Sequence, residues 1–358
     1  MKRFHVLTLL AIVAALLVSI HGNVSAQTAA PTQAGTAAAM DTTGWPDTFI
    51  YGVFDSGDVG KALTTSEPLR ARLEKELQKI KPSMRVVVYT GTSYTAVIQA
   101  MKAGRIDAFE VGPFAYILAA QEANAEPLGI HAPDASNAKA FDPNVKTFYL
   151  STIITKKGNG ANIKTVADLK GHTFSFVDPA STSGHLMPAS IIKAVGLDPD
   201  TDMKTIYAGS HPTSVLSVEA GKVDAGATFI SNLFDQKKAG KIDLCYFADN
   251  DIFKQRTAQE FADLYASCKD GQIVPIAFSQ PIPGTPFAVN HALPDTFRAT
   301  LKDILTTGLQ NDAEWITAHG YWYVDPSAQM GLKNLDAYYD SLRDTAKILG
   351  LDLKKIVK

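Results

Sequence analysis

From about residue 45 onward, apolar positions follow two rhythms, one of period two and one of period 3.6. TFIYGVF (48–54), MRVVVYT (84–90), RIDAFEV (105–111), KTFYLSTIITK (146–156) and TFSFVD (173–178) read as strands. Helical stretches lie between them. Pro68 to Ile80 sets Leu69, Leu73, Leu77 and Ile80 on one face, and Tyr94 to Lys102 stops at Ala103-Gly104. Pro113 to Asn124 is a further helix, VADLKG (166–171) a short one with a glycine stop, and Ser183 to Val195 ends at Gly196. This alternation predicts an α/β fold with mainly parallel sheets flanked by helices.

One stretch is echoed. TAVIQAMKAGRIDA (95–108) returns as TSVLSVEAGKVDA (213–225), one residue shorter. Each reads as a helix, a glycine stop, a basic residue and a strand with Asp, behind a polar entry, GTSY (91–94) or GSHP (209–212). The echo predicts two halves of similar architecture.

Ahead of residue 45 the pattern is different. Lys2 and Arg3 precede an apolar run from Val6 to Ile20, and Val24-Ser25-Ala26 is a small-residue cleavage site. This reads as a secretory signal peptide cut after Ala26. A membrane anchor is the weaker alternative, because the run is short of the roughly 20 residues that span a bilayer. Residues 27–44 are mostly Ala, Thr, Gln and Pro and read as a flexible tether.

The formal net charge is −2, and losing Lys2 and Arg3 with the signal makes it −4. No basic surface for nucleic acid is expected, so any bound anion must be held by local geometry. No His or Cys pair has metal-ligand spacing, and neither a metal nor a cofactor is expected. Cys245 and Cys268 are the two cysteines of the chain. In an exported chain they favour a disulfide, with two buried thiols as the alternative.

Three helix starts share a chemistry: Thr92-Ser93-Tyr94, Ser181-Thr182-Ser183 and Ser210-His211. Hydroxyls there can cap a helix, but three in a row exceed what one cap needs. Helix N-termini offer N–H groups and partial positive charge, which suits an anion without Lys or Arg. Ser181, Thr182 and Ser183 therefore suit a small tetrahedral oxyanion, with Gly184 letting the backbone approach it.

Together, DPASTSGHLMP, SYTAVIQAMKAGRIDAFEVGPFAY and GSHPTSVLSVEAGKVDAGA resemble the periplasmic binding proteins of phosphate, phosphite and phosphonate ABC transporters, over about 48–290. The resemblance implies a two-lobed type II binding-protein fold with the ligand cleft between the lobes. It implies lobe 1 from 45–150 plus 285–358, and lobe 2 from 151–284 with a stapled surface insertion at 245–279. Tyr94, Ser181, Thr182, Ser183 and His211 carry over as oxyanion contacts. Family members that recognise an aminoalkyl phosphonate place acids where this chain has Ser231 and Thr285, which argues against an aminoethyl ligand. Glu110 is a candidate acceptor for a protonated ligand oxygen, and Asp55 and Ser56 are candidate lobe 1 contacts or an Asx turn.

The expected function is capture of phosphite, phosphate or a small alkylphosphonate by a monomeric periplasmic protein that passes it to a permease. A sensor for a membrane receptor, or a binder of a related oxyanion such as arsenate, are the alternatives. A hydrolase using Ser181, His211 and an Asp is disfavoured, because the chain has no G-x-S-x-G elbow, no HExxH and no P-loop lysine.

Overall fold

The computed structural model describes residues 40–54, 59–133, 148–249, 251 and 253–357. The expected signal sequence, most of the expected tether, and Asp55 and Ser56 lie outside the described residues. The first sheet contains β1 (Thr48–Val53), β2 (Arg85–Thr90), β3 (Ala108–Glu110), β4 (Ala125–Pro133), β12 (Pro286–Asn290) and β13 (Tyr321–Val324), in the order β13-β4-β12-β3-β1-β2. The second contains β6 (Ser151–Lys156), β7 (Thr173–Phe176), β8 (Lys204–Tyr207), β9 (Ala225–Phe229) and β10 (Ile273–Phe278), in the order β10-β6-β9-β7-β8. A two-stranded ribbon pairs β5 (Phe148–Tyr149) with β11 (Ile282–Pro283).

The run 146–156, which the pattern reads as one strand, is thus split between the ribbon and the second sheet. Apolar character continues across Leu150, so periodicity alone does not show the break. The expectation of mainly parallel sheets also needs correction: both are mixed. β1, β2 and β3 are parallel, as are β7, β8 and β9. β12 and β6 run antiparallel to their neighbours β3 and β9. These two strands follow the ribbon instead of a helical crossover, and only a crossover forces parallel pairing.

The echoed segments are equivalent in space. β4-β12-β3-β1-β2 matches β10-β6-β9-β7-β8, pair for pair in parallel or antiparallel sense. Helix α1 (Val59–Gln78) and helix α2 (Tyr94–Lys102) lie in the first half of the sequence. Helices α3 (Pro113–Glu122), α4 (Met187–Ala194) and α5 (His211–Glu219) follow. Ser93 and Ser210 cap α2 and α5, each hydroxyl accepting from the amide three residues on, at 3.0 and 3.1 Å. Gly104 and Gly221 close these units at φ +65° and +66°, a conformation that disfavours a side chain. Asp107 and Asp224 then accept from the Ile50 and Thr173 amides, at 2.8 and 2.9 Å, which ties each β3-type strand to its neighbour.

Helix α1 starts at Val59, well before the Pro68 start that the sequence predicts, and runs through that proline. Its first turns carry Ala62 on the buried side but Leu63 exposed, with Thr64, Thr65 and Ser66 after them, so no apolar stripe announces them; Ala62, Leu69, Leu73 and Leu77 are buried on one side. In the predicted insertion, Cys245 and Cys268 are joined by a disulfide. Helix α6 (Ile230–Lys238) precedes this segment, and α7 (Ala258–Ser267) lies within it behind a Thr257–Glu260 capping box. Residues 273–278 are not part of a surface insertion: they form edge strand β10, paired with β6 and largely buried.

Candidate functional site

A cavity of about 560 Å³ opens beside the ends of β1, β3 and β9. Tyr94 and His211 both line it, and each is the first residue of its helix, directly after the capping serine. The capping turn therefore aims a large side chain from each half at one space. Tyr94 is 8% exposed and packs edge-on against Phe54 at 4.7 Å. His211 is 3% exposed, with Phe229 edge-on at 4.7 Å. Burial holds its imidazole far below the usual range, at about 3, so the ring is neutral at ordinary pH.

The hydroxyl run has three different fates. After β7, Asp178 turns the chain: its carboxylate accepts from the Ala180 amide at 2.8 Å, and its carbonyl from the Ser181 amide at 2.9 Å. Ser181 is the cap, accepting from the Gly184 amide at 3.0 Å, and its Oγ lies 3.5 Å from His211 Nε2. Thr182 Oγ1 accepts from the Phe114 amide at 2.8 Å, which fastens this turn to the start of α3. Ser183 lines the cavity, while its carbonyl accepts from the Ser151 hydroxyl at 2.7 Å.

Gly184 is not among the residues that line the cavity, and packing accounts for it. A side chain there would meet Val177 at 2.3 Å and the Ser181 hydroxyl at 2.8 Å. Its carbonyl accepts from the Val177 amide at 3.0 Å. Pro188, four residues on, has no N–H to offer that carbonyl, and the first turn, Thr182–Leu186, is a wide π turn before α4, with the Met187 amide donating to the Thr182 carbonyl.

Glu110 also lines the cavity, and its carboxylate accepts from the Tyr323 hydroxyl at 2.8 Å. Tyr51, His131 and Tyr321 line the same end, with His131 stacked on Tyr321 at 4.8 Å. Burial, reinforced by the Glu110 charge, raises the Tyr51 and Tyr321 phenols well above their ordinary value. Ser231 and Thr285 line the cavity as well. No Lys or Arg stands among the described residues that line it.

Sequence reasoning misses Tyr149, which lines the cavity from the ribbon. Burial pushes its phenol up to about 12, opposed by hydrogen bonds with Thr182 and Ser183. Its only signal is position, beside the expected lobe boundary at 150/151. Tyr51, His131 and Tyr321 sit in strand-like apolar runs far apart in the chain, and nothing in those runs separates them from core.

A family model for the periplasmic substrate-binding protein of phosphonate ABC transporters matches residues 51–321. The chain is 27% identical over 326 residues to the phosphate-import protein PhnD of Mycolicibacterium smegmatis, covering 86% of this chain and 87% of that protein. It is 26% identical over 168 residues to the phosphonates-binding periplasmic protein of Escherichia coli, 46% of each chain. The crystal structure of a binding protein component of an ABC phosphonate transporter from Pseudomonas aeruginosa matches with a TM-score of 0.57 at 19% identity, over 86% of this chain and 96% of that one. PhnD1 from Prochlorococcus marinus, in complex with methylphosphonate, matches at 0.57 and 14%, over 85% and 99%. At these identities the two structures speak for the fold, a two-lobed type II binding protein.

Proposed function

We propose, from the premise that this chain belongs to the periplasmic substrate-binding proteins of phosphonate ABC transporters, that its cavity captures a small phosphorus oxyanion. Proteins of this family bind phosphonate or phosphate and deliver it to an ABC permease; the chain is a transport protein and not an enzyme. No helix among the described residues is long and apolar enough to cross a membrane. The finer reading is a monomer, exported by cleavage after Ala26, that takes phosphite, phosphate or a small alkylphosphonate. The lobes would be residues 45–150 with 285–358, and residues 151–284, closing over the ligand.

One observation carries this reading. Tyr94, Ser183 and His211 converge on a cavity that no Lys or Arg among the described residues lines, so neutral donors from both halves would share the anion. Each hydrogen bond to a charged ligand contributes about 1.5–3 kcal/mol. Ser181 and Thr182 would act from behind, one as cap and one as the link to α3. Glu110 would accept from a ligand oxygen that keeps its proton, which disfavours sulfate.

Calorimetric titration of refolded, ligand-stripped mature protein tests this against phosphite, phosphate, methylphosphonate, 2-aminoethylphosphonate and sulfate. The expected result is tight binding of one of the first three, with the last two weak. Tight 2-aminoethylphosphonate binding would give Glu110 to the ammonium and overturn the reading of Ser231 and Thr285. Silence from all five would return the hydroxyl run to a purely structural role.

A further inference from the structure

Behind His211 runs a line of buried side chains that the oxyanion reading leaves unused. Thr228 Oγ1 lies 3.2 Å from His211 Nδ1. The same oxygen accepts from Asn232 Nδ2 at 3.0 Å, and Asn232 Oδ1 accepts from Gln236 Nε2 at 3.2 Å. Thr228 is on β9, and Asn232 and Gln236 are one turn apart on α6. Thr228 is fully buried, Asn232 is 4% exposed and Gln236 7%.

A hydroxyl has one proton to give. The Thr228 oxygen receives one from Asn232, and Nδ1 of the ring is the other partner that its hydroxyl has among the described residues, so its own proton points at Nδ1. Nδ1 then accepts, and the proton of a neutral imidazole must sit on Nε2. Nε2 is the nitrogen on the Ser181 side. Running the line the other way would turn both amides round. It would put the Gln236 nitrogen where its oxygen now lies buried without a partner. A buried N–H without an acceptor is rarer than a carbonyl short of a donor, which favours the direction described.

We infer that Thr228, Asn232 and Gln236 are positioning residues that fix His211 as the Nε2–H tautomer, so that the ring meets its ligand as a donor only. The ligand consequence rests on the proposed oxyanion site; the tautomer does not. A donor-only ring selects a bare ligand oxygen. Any protonated oxygen must turn elsewhere in the cavity, where Glu110 is the carboxylate that lines it among the described residues.

The test is a long-range proton–nitrogen correlation spectrum of the histidine rings in the intact mature protein at neutral pH. The His211 signals are assigned by their loss in His211→Ala. The expected spectrum is the Nε2–H form in wild type and in Thr228→Ser, and a mixture of tautomers in Thr228→Val. Calorimetry with phosphite, phosphate and methylphosphonate should show affinity falling about five- to tenfold in Thr228→Val and returning in Thr228→Ser. An Nδ1–H or doubly protonated ring in wild type overturns the inference, as does an unchanged tautomer in Thr228→Val. If that variant does not fold, the wild-type spectrum decides alone. An Nε2–H spectrum with no binding of any probe supports the tautomer and overturns the ligand reading.

Discussion

The α2–β3 unit and the α5–β9 unit differ little in backbone and much in chemistry. Both open on a serine cap, close on a left-handed glycine and anchor their strand through an aspartate. Yet the first helical position is a phenol in one and a neutral imidazole in the other. Beyond the strands, one half adds a carboxylate and a group of tyrosines, and the other adds Ser183 and Phe229. The two units share architecture where it sets direction, and their side chains differ where they face the cavity. The comparison teaches that the site is a property of the capping turn, which aims whatever residue follows the serine.

The largest expected effect breaks the comparison at its tips. His211→Ala should weaken binding of the preferred phosphorus anion by about 2–3 kcal/mol, or roughly 30- to 150-fold, by removing a donor and leaving the Thr228 proton without its Nδ1 acceptor. Calorimetry reads it, and wild-type affinity would remove His211 from the site.

Next come the anchoring aspartates, whose ionisation is perturbed in opposite directions. Burial pushes Asp224 up, but the Thr173 amide and hydroxyl and His172 outweigh it and hold the carboxyl below its ordinary value. Its contribution is therefore present above the unfolded value of about 3.8 and lost as pH falls through the folded value. Asp224→Asn should cost about 2 kcal/mol at pH 7 and flatten the acid limb of stability, as urea unfolding across pH would show.

A smaller and equal pair of effects would sharpen the comparison. Ser93→Ala and Ser210→Ala should each cost about 1 kcal/mol of stability, because each removes one matched cap. A markedly unequal pair in thermal unfolding would mean that the two turns are not equivalent.

The smallest effect has the opposite sign. Burial raises Asp107, and the Ile50 amide only partly offsets it. The ionised form thus works against the fold: its contribution is present below the unfolded value of about 3.8 and lost as pH rises through the folded value. Asp107→Asn keeps the acceptor and should stabilise by up to about 1 kcal/mol at pH 7. A loss like that of Asp224→Asn would disprove the contrast.

Much of this was legible because it is local. The caps at Ser93 and Ser210, the stops at Gly104 and Gly221 and the α2 boundaries follow from short-range backbone rules, and they appear in sequence as a repeated pattern. What was illegible depends on long-range packing. Nothing local to Pro68 shows that α1 continues upstream of it, and nothing local to Gly184 shows that Val177 fills the space beside it. In the sequence the hydroxyls at 181–183 look like one ligand-binding unit. Its members divide among a cap, a link to α3 and a cavity wall, because each faces a partner from a different part of the chain.

The placement of β12 has a consequence for how the chain comes together. All strands of the second sheet lie within residues 151–278, so that sheet can assemble from one continuous stretch. The first sheet has β12, residues 286–290, between β3 and β4. A chain that emerges from its N-terminus can make β1, β2 and β3 early, but it holds an unfilled slot until the whole second sheet has passed. Closing that slot requires contacts of long sequence separation, the slow kind. The later half of the molecule is thus placed to fold first, and the earlier half waits with an open strand edge, the state in which a folding chain is most exposed to aggregation.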